Sequence, residues 1–270
     1  MNKGVSFVIN ATIKLRGIHQ IYEGKIDEQG KTVSINNKQY EIDELMYDVP
    51  VSGTVYGVLL NYKGAFKSFE PSMYEEPYIK PPKAPILYIK PRNTFTSFGT
   101  SIPLPSDASK LEIGASLGIV IGRTATKVKE SDALEYIKGY TIVNDVTIPH
   151  KRVYRPAVKE KSRDGFCPIG PWIIDQKAIP HPDALDIRVY INGELKQENN
   201  TENLVRPVGK LIQDVTSFMT LYAGDILLAG VPENAPLAGE NDRVKIEING
   251  IGVLENTIGK ENKVVGGGVV

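Results

Sequence analysis

The chain has 270 residues, of which 32 are Lys or Arg and 32 are Asp or Glu, so its formal net charge is zero. This balance argues against nucleic acid or an anionic membrane as the main partner, because both attract proteins with a basic excess. Hydrophobic residues make up 41% of the sequence, as in a folded globular protein, and no stretch of the sequence has the apolar length that spans a bilayer.

The single cysteine, Cys167, excludes an internal disulfide and suits a reducing compartment. A catalytic thiol needs a histidine partner and a lowered pKa, and the sequence gives no sign of either, so we predict a small buried residue. The first 17 residues lack the long apolar core of a signal peptide. These features predict a cytoplasmic protein.

The first third of the chain predicts a small β unit followed by a long loop. Residues 5–47 read as short strands of alternating, β-branched residues separated by turns, and we place this N-terminal unit at residues 1–53. Residues 63–85 contain five prolines and several aromatic residues. Loops of that length inside a compact domain are usually functional, so this segment is predicted to form a lid over a site.

The remainder predicts many strands and few helices. Strands are expected at residues 86–90, 111–123 and 141–146, a short helix beginning at Ser131, a hairpin turning at Asn192-Gly193, and an amphipathic helix at residues 201–221. This non-alternating order predicts an α+β, mostly β fold. We assign residues 54–260 to one catalytic domain and residues 261–270 to a flexible tail.

Residues 144–172 combine charges of both signs with prolines, glycines and aromatic side chains. Ordinary loops consist mainly of small neutral turn residues, so a segment of this kind predicts a binding site for a small anionic molecule. The alternative is a solvated loop with incidental ion pairs.

The same segment carries a family resemblance. GYTIVNDVT at 139–147 and KSRDGFCPIGPW at 161–172 resemble the signature of the fumarylacetoacetate hydrolase superfamily. Shorter matches follow in the family's order, namely YGVLLNY at 56–62, YIKPRNT at 88–94, GIVIGR at 118–123, INGEL at 191–195 and MTLYAGD at 219–225. The resemblance covers residues 54 to 260. It is strongest to the branch that isomerises and decarboxylates intermediates of 4-hydroxyphenylacetate degradation, in particular to the N-terminal half of that enzyme.

The resemblance implies a rolled mixed sheet around a deep pocket, and a divalent metal, Mg²⁺ or Mn²⁺, held by three carboxylates. Asp145 matches one of the three ligands, whereas the Glu-x-Glu pair of the family falls on Gly114 and Ser116. Glu112 is predicted on the same face of that strand, roughly 6–7 Å before Gly114. We therefore expect weak metal dependence, which glutamates at positions 114 and 116 would strengthen, and no organic cofactor.

Three residues are predicted to be catalytic. Lys161 and Asp164 match the family's KSxD element, in which the lysine reaches into the pocket and stabilises a carboxylate or an enolate oxygen; a structural Lys–Asp ion pair is the alternative. His150, shortly after the metal-ligand position, is a candidate acid or base, because the ordinary pKa of histidine lies near 6.5. A solvated histidine is the other reading.

Substrate contacts are predicted from three further residues. Lys90 matches a family position at the pocket rim, while Tyr154 and Arg155 are placed to hold a distal carboxylate. Two groups of the family are missing. Ala65 stands where the lid histidine occurs, and the Gly-Thr-Pro turn that binds the substrate carboxylate reads GVP at 230–232, without its hydroxyl.

These features predict an enzyme that acts on a small anionic 2-oxo acid. The expected reaction is decarboxylation of 5-oxopent-3-ene-1,2,5-tricarboxylate, isomerisation of 2-hydroxyhepta-2,4-diene-1,7-dioate, or both. A second hypothesis is a non-catalytic or half-catalytic partner of a metal-bearing paralogous subunit, and a third is a 2-oxo-acid tautomerase or acylpyruvate hydrolase. We expect a homodimer, or a heteromer with the paralogue.

Overall fold

The computed structural model describes residues 8–27, 31–150 and 156–261. Its strands are β1 (Val8–Lys14), β2 (Ile21–Asp27), β3 (Thr32–Ile35), β4 (Lys38–Glu41), β5 (Val55–Leu59), β6 (Ile86–Lys90), β7 (Phe95–Thr96), β8 (Ser101–Leu104), β9 (Leu111–Glu112), β10 (Ala115–Ile121), β11 (Ile137–Asn144), β12 (Cys167–Asp175), β13 (Asp186–Ile191), β14 (Glu194–Asn200), β15 (Ile226–Leu228), β16 (Leu237–Ala238), β17 (Arg243–Ile248) and β18 (Gly252–Lys260). The α-helices are α1 (Lys63–Phe69), α2 (Val158–Lys161) and α3 (Val208–Thr216). Six short 3₁₀ helices span Ile42–Glu44, Glu70–Tyr74, Arg92–Thr94, Glu130–Tyr136, Gln176–Ala178 and Thr201–Asn203 in this part of the chain.

Most strands belong to two mixed sheets. The larger sheet has the order β4-β3-β2-β1-β12-β11-β10-β15-β5-β6, with β7 pairing on β12. The smaller sheet has the order β14-β13-β17-β18-β8, and β16 pairs with β9 separately. The pairs β5–β15, β7–β12 and β8–β18 are parallel, and the other pairs are antiparallel. This architecture confirms the predicted α+β, mostly β fold class.

The middle of the larger sheet is buried on both faces. Every residue of β10 is buried, and so is every residue of β11 except one. Strands of this kind read as continuous apolar runs rather than as alternating ones, because both of their faces pack against other side chains. The residues that follow β11 therefore start from the most enclosed part of the molecule.

The N-terminal strands continue the larger sheet. β1 pairs with β12 in antiparallel register, with Ala11 opposite Ile174. Tyr47 packs edge-on against Trp172, with ring centroids 6.0 Å apart. Ala11 and Tyr47 thus belong to the same hydrophobic core as the rest of the chain, and the boundary at residue 53 stays a prediction.

Two predicted elements differ in the structure. Residues 111–123 do not form one strand, because the chain leaves the sheet between β9 and β10. The predicted helix at Ser131 is the 3₁₀ helix Glu130–Tyr136, whose last turn is closed by the Ile137 N–H on the carbonyl of Leu134. Its closing bond spans three residues instead of four, which is common in such short segments.

Two other predicted elements are confirmed. Asn192 and Gly193 have φ values of 52° and 83°, as the tight turn of a twisted hairpin requires, and they connect β13 to β14. The amphipathic helix is also present, but α3 is shorter than the predicted range 201–221; its buried residues lie on one side.

The predicted lid consists of α1, the 3₁₀ helix Glu70–Tyr74 and the segment that leads to β6. Phe69, Met73 and Tyr78 of this segment line a small apolar cavity of about 80 Å³ together with Leu59 and Ile86. The lid therefore packs on the ends of β5 and β6 through apolar side chains. Whether it covers a substrate site stays a prediction.

Candidate active site

Asp145 lies directly after β11, in the interior of the protein. Its backbone N–H donates to the carbonyl of Gly114 at 2.8 Å, and the N–H of Gly114 donates to Oδ1 of Asn144 at 3.1 Å. Only 1% of Asp145 is exposed to solvent. A carboxylate this deeply buried needs charged or hydrogen-bonding partners, because burial of a bare charge is very unfavourable.

Two lysines and one tyrosine supply these partners. The Nζ of Lys161 lies 2.8 Å from Oδ2 of Asp145, and the Nζ of Lys90 lies 2.9 Å from Oδ1. The hydroxyl of Tyr88 donates a short hydrogen bond to Oδ2. The two ammonium groups and one carboxylate leave a net positive charge, so the cluster favours an anionic ligand.

The charge state of the cluster follows from these contacts. Burial alone would raise the pKa of Asp145, but the positive charges of Lys161 and Lys90 outweigh it and lower that pKa below its ordinary value. Burial, followed by the charge of Asp145 and the hydrogen bond to it, raises the pKa of Tyr88 well above its ordinary value. Asp145 is therefore an anion at neutral pH, and Tyr88 keeps its proton.

Lys90 is not at the rim of a pocket, which corrects the prediction that it binds substrate. Its side chain has no exposed surface, and its ammonium group donates to the carbonyls of Val146 at 3.1 Å and Lys161 at 2.7 Å in addition to its contact with Asp145. A lysine has three N–H donors, and all three are used inside the protein. Strand β6 places Lys90 behind Asp145, where its charge holds the carboxylate in the fold.

Lys161 differs from Lys90 because its side chain is partly exposed. It is the last residue of α2, and its Nζ also donates to Oγ1 of Thr147 at 2.7 Å. Its side chain keeps 13% of its surface exposed, whereas that of Asp145 keeps none. Two of its three N–H donors are thus used within the described part of the chain. The third makes no hydrogen bond to any of the described residues, and the catalytic role of Lys161 stays a prediction.

Tyr88 was not predicted from the sequence as a site residue. Its ring lies directly over Gly57 of the neighbouring strand, where a Cβ atom would come within 2.0 Å of it, and the Nζ of Lys161 lies 4.8 Å from the ring centroid. Tyr88 and Lys90 are two residues apart on β6 and therefore project from the same face. The spacing of Tyr88 and Lys90, together with the glycine at position 57, was the feature of the sequence that could have indicated Tyr88 as a site residue.

The positions of the family's two glutamates leave no place for a metal site. A Cβ atom on Gly114 would lie 2.4 Å from the carbonyl oxygen of Asp145, so residue 114 has no space for a side chain. Ser116 is fully buried, and the oxygens of Asp145 already contact the two ammonium groups. No three His, Cys, Asp or Glu side chains within residues 8–27, 31–150 and 156–261 form a metal-binding group. The residues present do not fit a divalent metal.

Glu112 lies on β9, next to the same cluster. Burial raises its pKa above the ordinary value, and the negative charge of Asp145 adds to this, while the charges of Lys161 and His150 oppose it. His150 is half-buried, and its charge acts on Glu112. The structure brings His150 near the cluster, as expected of an acid–base candidate, without assigning it a role.

The other predicted residues lie elsewhere or outside the described residues. Asp164 is exposed and accepts a hydrogen bond from Nδ2 of Asn93 at 2.7 Å. It does not pair with Lys161, because the turn that follows α2 directs it to the surface. Tyr154 and Arg155 lie outside the described residues.

A buried thiol and an apolar turn lie near the cluster. Burial raises the pKa of the Cys167 thiol to about 12, so it stays protonated and is no nucleophile, as the sequence predicted. Cγ2 of Val231 lies 3.1 Å from the position that a Cβ on Gly114 would take. The turn at 230–232 therefore reaches the site with an apolar side chain.

Comparison with known proteins places this site in a family. The chain is 39% identical over 214 residues to the 4-hydroxyphenylacetate degradation bifunctional isomerase/decarboxylase of Escherichia coli; the match covers 79% of this chain and 49% of that protein. The chain thus spans about half the length of the curated relatives that it matches first.

Solved structures share the fold. The 5-carboxymethyl-2-hydroxymuconate delta-isomerase of Mycobacterium smegmatis has a TM-score of 0.75 at 27% identity, over 95% of this chain and 100% of that one. The maleylpyruvate hydrolase of Sphingobium sp. SYK-6, solved with manganese(II) and pyruvate, has a TM-score of 0.76 at 19% identity, over 93% and 100%. No helix in the described part of the chain is long and apolar enough to cross a membrane.

The family model for the C-terminal domain of fumarylacetoacetate hydrolase matches residues 54–259. That range contains Lys90, Asp145 and Lys161, so the buried cluster lies inside the matched domain. The chain belongs to the fumarylacetoacetate hydrolase family.

Proposed function

We propose that this protein is a carbon–carbon lyase or isomerase of 4-hydroxyphenylacetate catabolism. Its substrate would be an unsaturated 2-oxo acid, either the tricarboxylate 5-oxopent-3-ene-1,2,5-tricarboxylate or the related 2-hydroxyhepta-2,4-diene-1,7-dioate. The observation that carries the proposal is the ammonium group of Lys161, which belongs to a buried cluster of net positive charge and keeps 13% of its side-chain surface exposed. The names of the relatives from E. coli and M. smegmatis support the reaction class.

The chemistry needs a fixed positive charge where a negative oxygen develops. When the substrate loses carbon dioxide or a proton, the electron pair spreads onto the oxygen of the neighbouring carbonyl and gives a dienolate. The ammonium group of Lys161 is held in place by Asp145 and Thr147 before the substrate arrives. Donors that are already oriented stabilise such an oxygen without reorganisation, and this accounts for much of enzymatic rate enhancement.

Asp145 and Lys90 support the role of Lys161 by fixing its charge and position. Lys90 neutralises the buried carboxylate, and Asp145 in turn orients Lys161 and accepts a hydrogen bond from the Tyr88 hydroxyl. In this proposal neither group touches the substrate. A reaction of this kind uses no resident metal ion, because the ammonium group supplies the positive charge. A cytoplasmic location would keep the buried thiol of Cys167 reduced.

The second candidate is a partner subunit that stabilises a metal-bearing paralogue. The observation in its favour is the pair of positions 114 and 116, where glycine and serine replace the family's glutamates. Assay of the purified chain alone, with and without Mn²⁺, separates the two candidates. Turnover without added metal supports the first, and no turnover until the paralogue is added supports the second.

The proposal is tested by replacing the oxyanion-stabilising group. We expect Lys161→Ala to lower turnover of the tricarboxylate by about a hundredfold or more, the usual loss when one such donor is removed. Lys196→Ala is the matched control, because that lysine forms an ion pair with Glu194 on the exposed hairpin. It should leave turnover unchanged.

A binding measurement separates chemistry from ligand affinity. Oxalate resembles the enolate of a 2-oxo acid, so its affinity for the protein, measured by calorimetry, should fall in Lys161→Ala and remain the same in Lys196→Ala. If Lys161→Ala turns over substrate within about threefold of the wild-type rate, Lys161 is only structural and the proposed role is wrong.

A further inference from the structure

Glu112 is placed beside Lys161 by a backbone pair. Its N–H donates to the carbonyl of Thr147 at 2.8 Å, and the N–H of Thr147 donates back to the carbonyl of Glu112 at 3.2 Å. Residues that exchange both bonds in an antiparallel pair lie directly opposite, and their side chains project from the same face. Because the Thr147 hydroxyl contacts the ammonium group of Lys161, the Glu112 side chain lies on the side of the sheet that faces this ammonium group.

The side chain of Glu112 lies in a partly buried position. Within the described residues, no hydrogen bond or ion pair engages its side chain, although the residue is largely enclosed. Its other strand neighbour, Leu237 of β16, is apolar. The charged groups that act on it are Lys161 at the end of α2, Asp145 after β11 and His150 in the segment that follows Thr147.

This environment favours the protonated form of the carboxyl group more than water does. Burial raises the pKa of Glu112, and the charge of Asp145 contributes in the same direction. A carboxylic acid with a raised pKa is the usual form of a general acid that works near neutral pH. The group is therefore positioned on the side of the oxyanion donor, in surroundings that favour its acid form.

We propose that Glu112 is the catalytic residue that carries the proton to and from the carbon atom of the substrate. The inference rests on the proposed function. In decarboxylation, the bond between the substrate and its leaving carboxylate breaks, carbon dioxide departs, and the electron pair remains as the dienolate held by Lys161. The O–H bond of Glu112 then breaks as a C–H bond forms on the dienolate. Glu112 is left as a carboxylate and regains its proton from solvent.

Tyr88 does not serve this purpose, although it also keeps its proton. Its hydroxyl donates to Asp145, which needs that bond because the carboxylate is fully buried. His150 is the rival carrier, since it lies near the same groups. The experiment therefore includes both residues.

The test uses the full chain and the variants Glu112→Gln, His150→Gln and Glu194→Gln. Glu194 lies on the exposed hairpin and is the control. Two rates are measured, the decarboxylation of the tricarboxylate and the exchange of the methyl protons of pyruvate for deuterium in D₂O, followed by proton NMR. Exchange needs proton transfer at carbon but no loss of carbon dioxide. The affinity for oxalate and the thermal midpoint are measured for every variant.

We expect Glu112→Gln to lower both rates by about a hundredfold or more, as removal of a general acid does. Its affinity for oxalate and its thermal midpoint should equal those of the wild type, because the carboxyl group of Glu112 makes no hydrogen bond or ion pair with the described residues. The decarboxylation rate of the wild type should fall as the pH rises through the pKa of Glu112, since the acid form is lost. Glu112→Gln should lack this limb of the pH profile.

Rates of Glu112→Gln within about threefold of the wild type overturn the inference. So does a loss that appears only in His150→Gln, because His150 is then the carrier. Wild-type exchange without decarboxylation contradicts the proposed reaction but leaves the role of Glu112 standing. Failure of the wild type in both assays overturns both.

Discussion

At the scale of single residues, the two lysines that hold Asp145 have different tasks. Lys90 has no exposed surface and bonds only to groups of the protein, whereas Lys161 retains surface and an N–H donor. The two are chemically identical, and the sequence assigned Lys161 to catalysis and Lys90 to substrate binding. What distinguishes them is which side of the carboxylate each one occupies.

Loss of Lys90 should therefore reduce stability rather than only activity. Lys90→Ala removes one of two counter-ions from a buried carboxylate and leaves the carbonyls of Val146 and Lys161 without a donor. We expect the free energy of unfolding to fall by about 3–5 kcal/mol, measured by urea denaturation. The exposed pair of Lys196 is the comparison, and Lys196→Ala should cost less than about 1 kcal/mol. Equal losses in the two variants would contradict this division of roles.

At the scale of elements, the break between β9 and β10 shapes the site. A continuous strand would have placed residues 112, 114 and 116 on one face. Instead, β9 pairs with residue 147 and with β16, and Gly114 approaches the backbone of Asp145. The break separates Glu112 from the family's metal-ligand positions and brings it beside Lys161.

Glutamates at positions 114 and 116 should therefore not restore a metal site. This reverses the expectation from the sequence, because any side chain at 114 collides with the carbonyl of Asp145. We expect Gly114→Glu with Ser116→Glu to lower the free energy of unfolding by more than about 3 kcal/mol, since it overpacks the interior and buries charge. Affinity for Mn²⁺, measured by calorimetry, should not increase.

The control for this variant adds one glutamate outside the core. Thr124→Glu lies on the exposed segment after β10 and should leave the thermal midpoint unchanged. A stably folded double variant that binds Mn²⁺ more tightly than the wild type would show that residue 114 has space for a ligand.

At the scale of the whole molecule, the surface near β6 favours association. Among the described strands, β6 ends the larger sheet, so its outer edge has backbone groups that pair with no other described strand. Ile89 on this strand and Ile79 in the lid are 55% and 69% exposed. A net charge of zero does little to oppose self-association.

We therefore predict a homodimer when the chain is produced alone, and a heteromer when a paralogous subunit is present. Light scattering of the pure chain at low micromolar concentration gives the first answer, and co-purification with a tagged paralogue gives the second. Replacing Ile89 by Lys should weaken the dimer without lowering the thermal midpoint of the monomer, because the side chain is on the surface. A strictly monomeric chain that does not bind the paralogue would contradict the prediction.

The sequence by itself determined the fold class, the family and the residues that carry charge into the site. Buried strands can be predicted from the sequence because they are continuous apolar runs. The motifs around Asp145 and Lys161 can be recognised because each consists of residues that are close together in the sequence. The hairpin at Asn192-Gly193 can likewise be predicted from the sequence, since its backbone conformation depends on two adjacent residues.

Only the tertiary structure decided what each charged group does. Lys90, Asp145 and Lys161 lie far apart along the chain, and no local pattern states which ammonium group faces the interior. The space at Gly114 depends on the backbone of Asp145, thirty-one positions later in the sequence. The role of Glu112 likewise depends on a partner strand that pairs it with Thr147. Contacts between segments that are distant in the sequence determine which side chains are buried. Burial in turn determines the charge state of each side chain and the groups that it can contact.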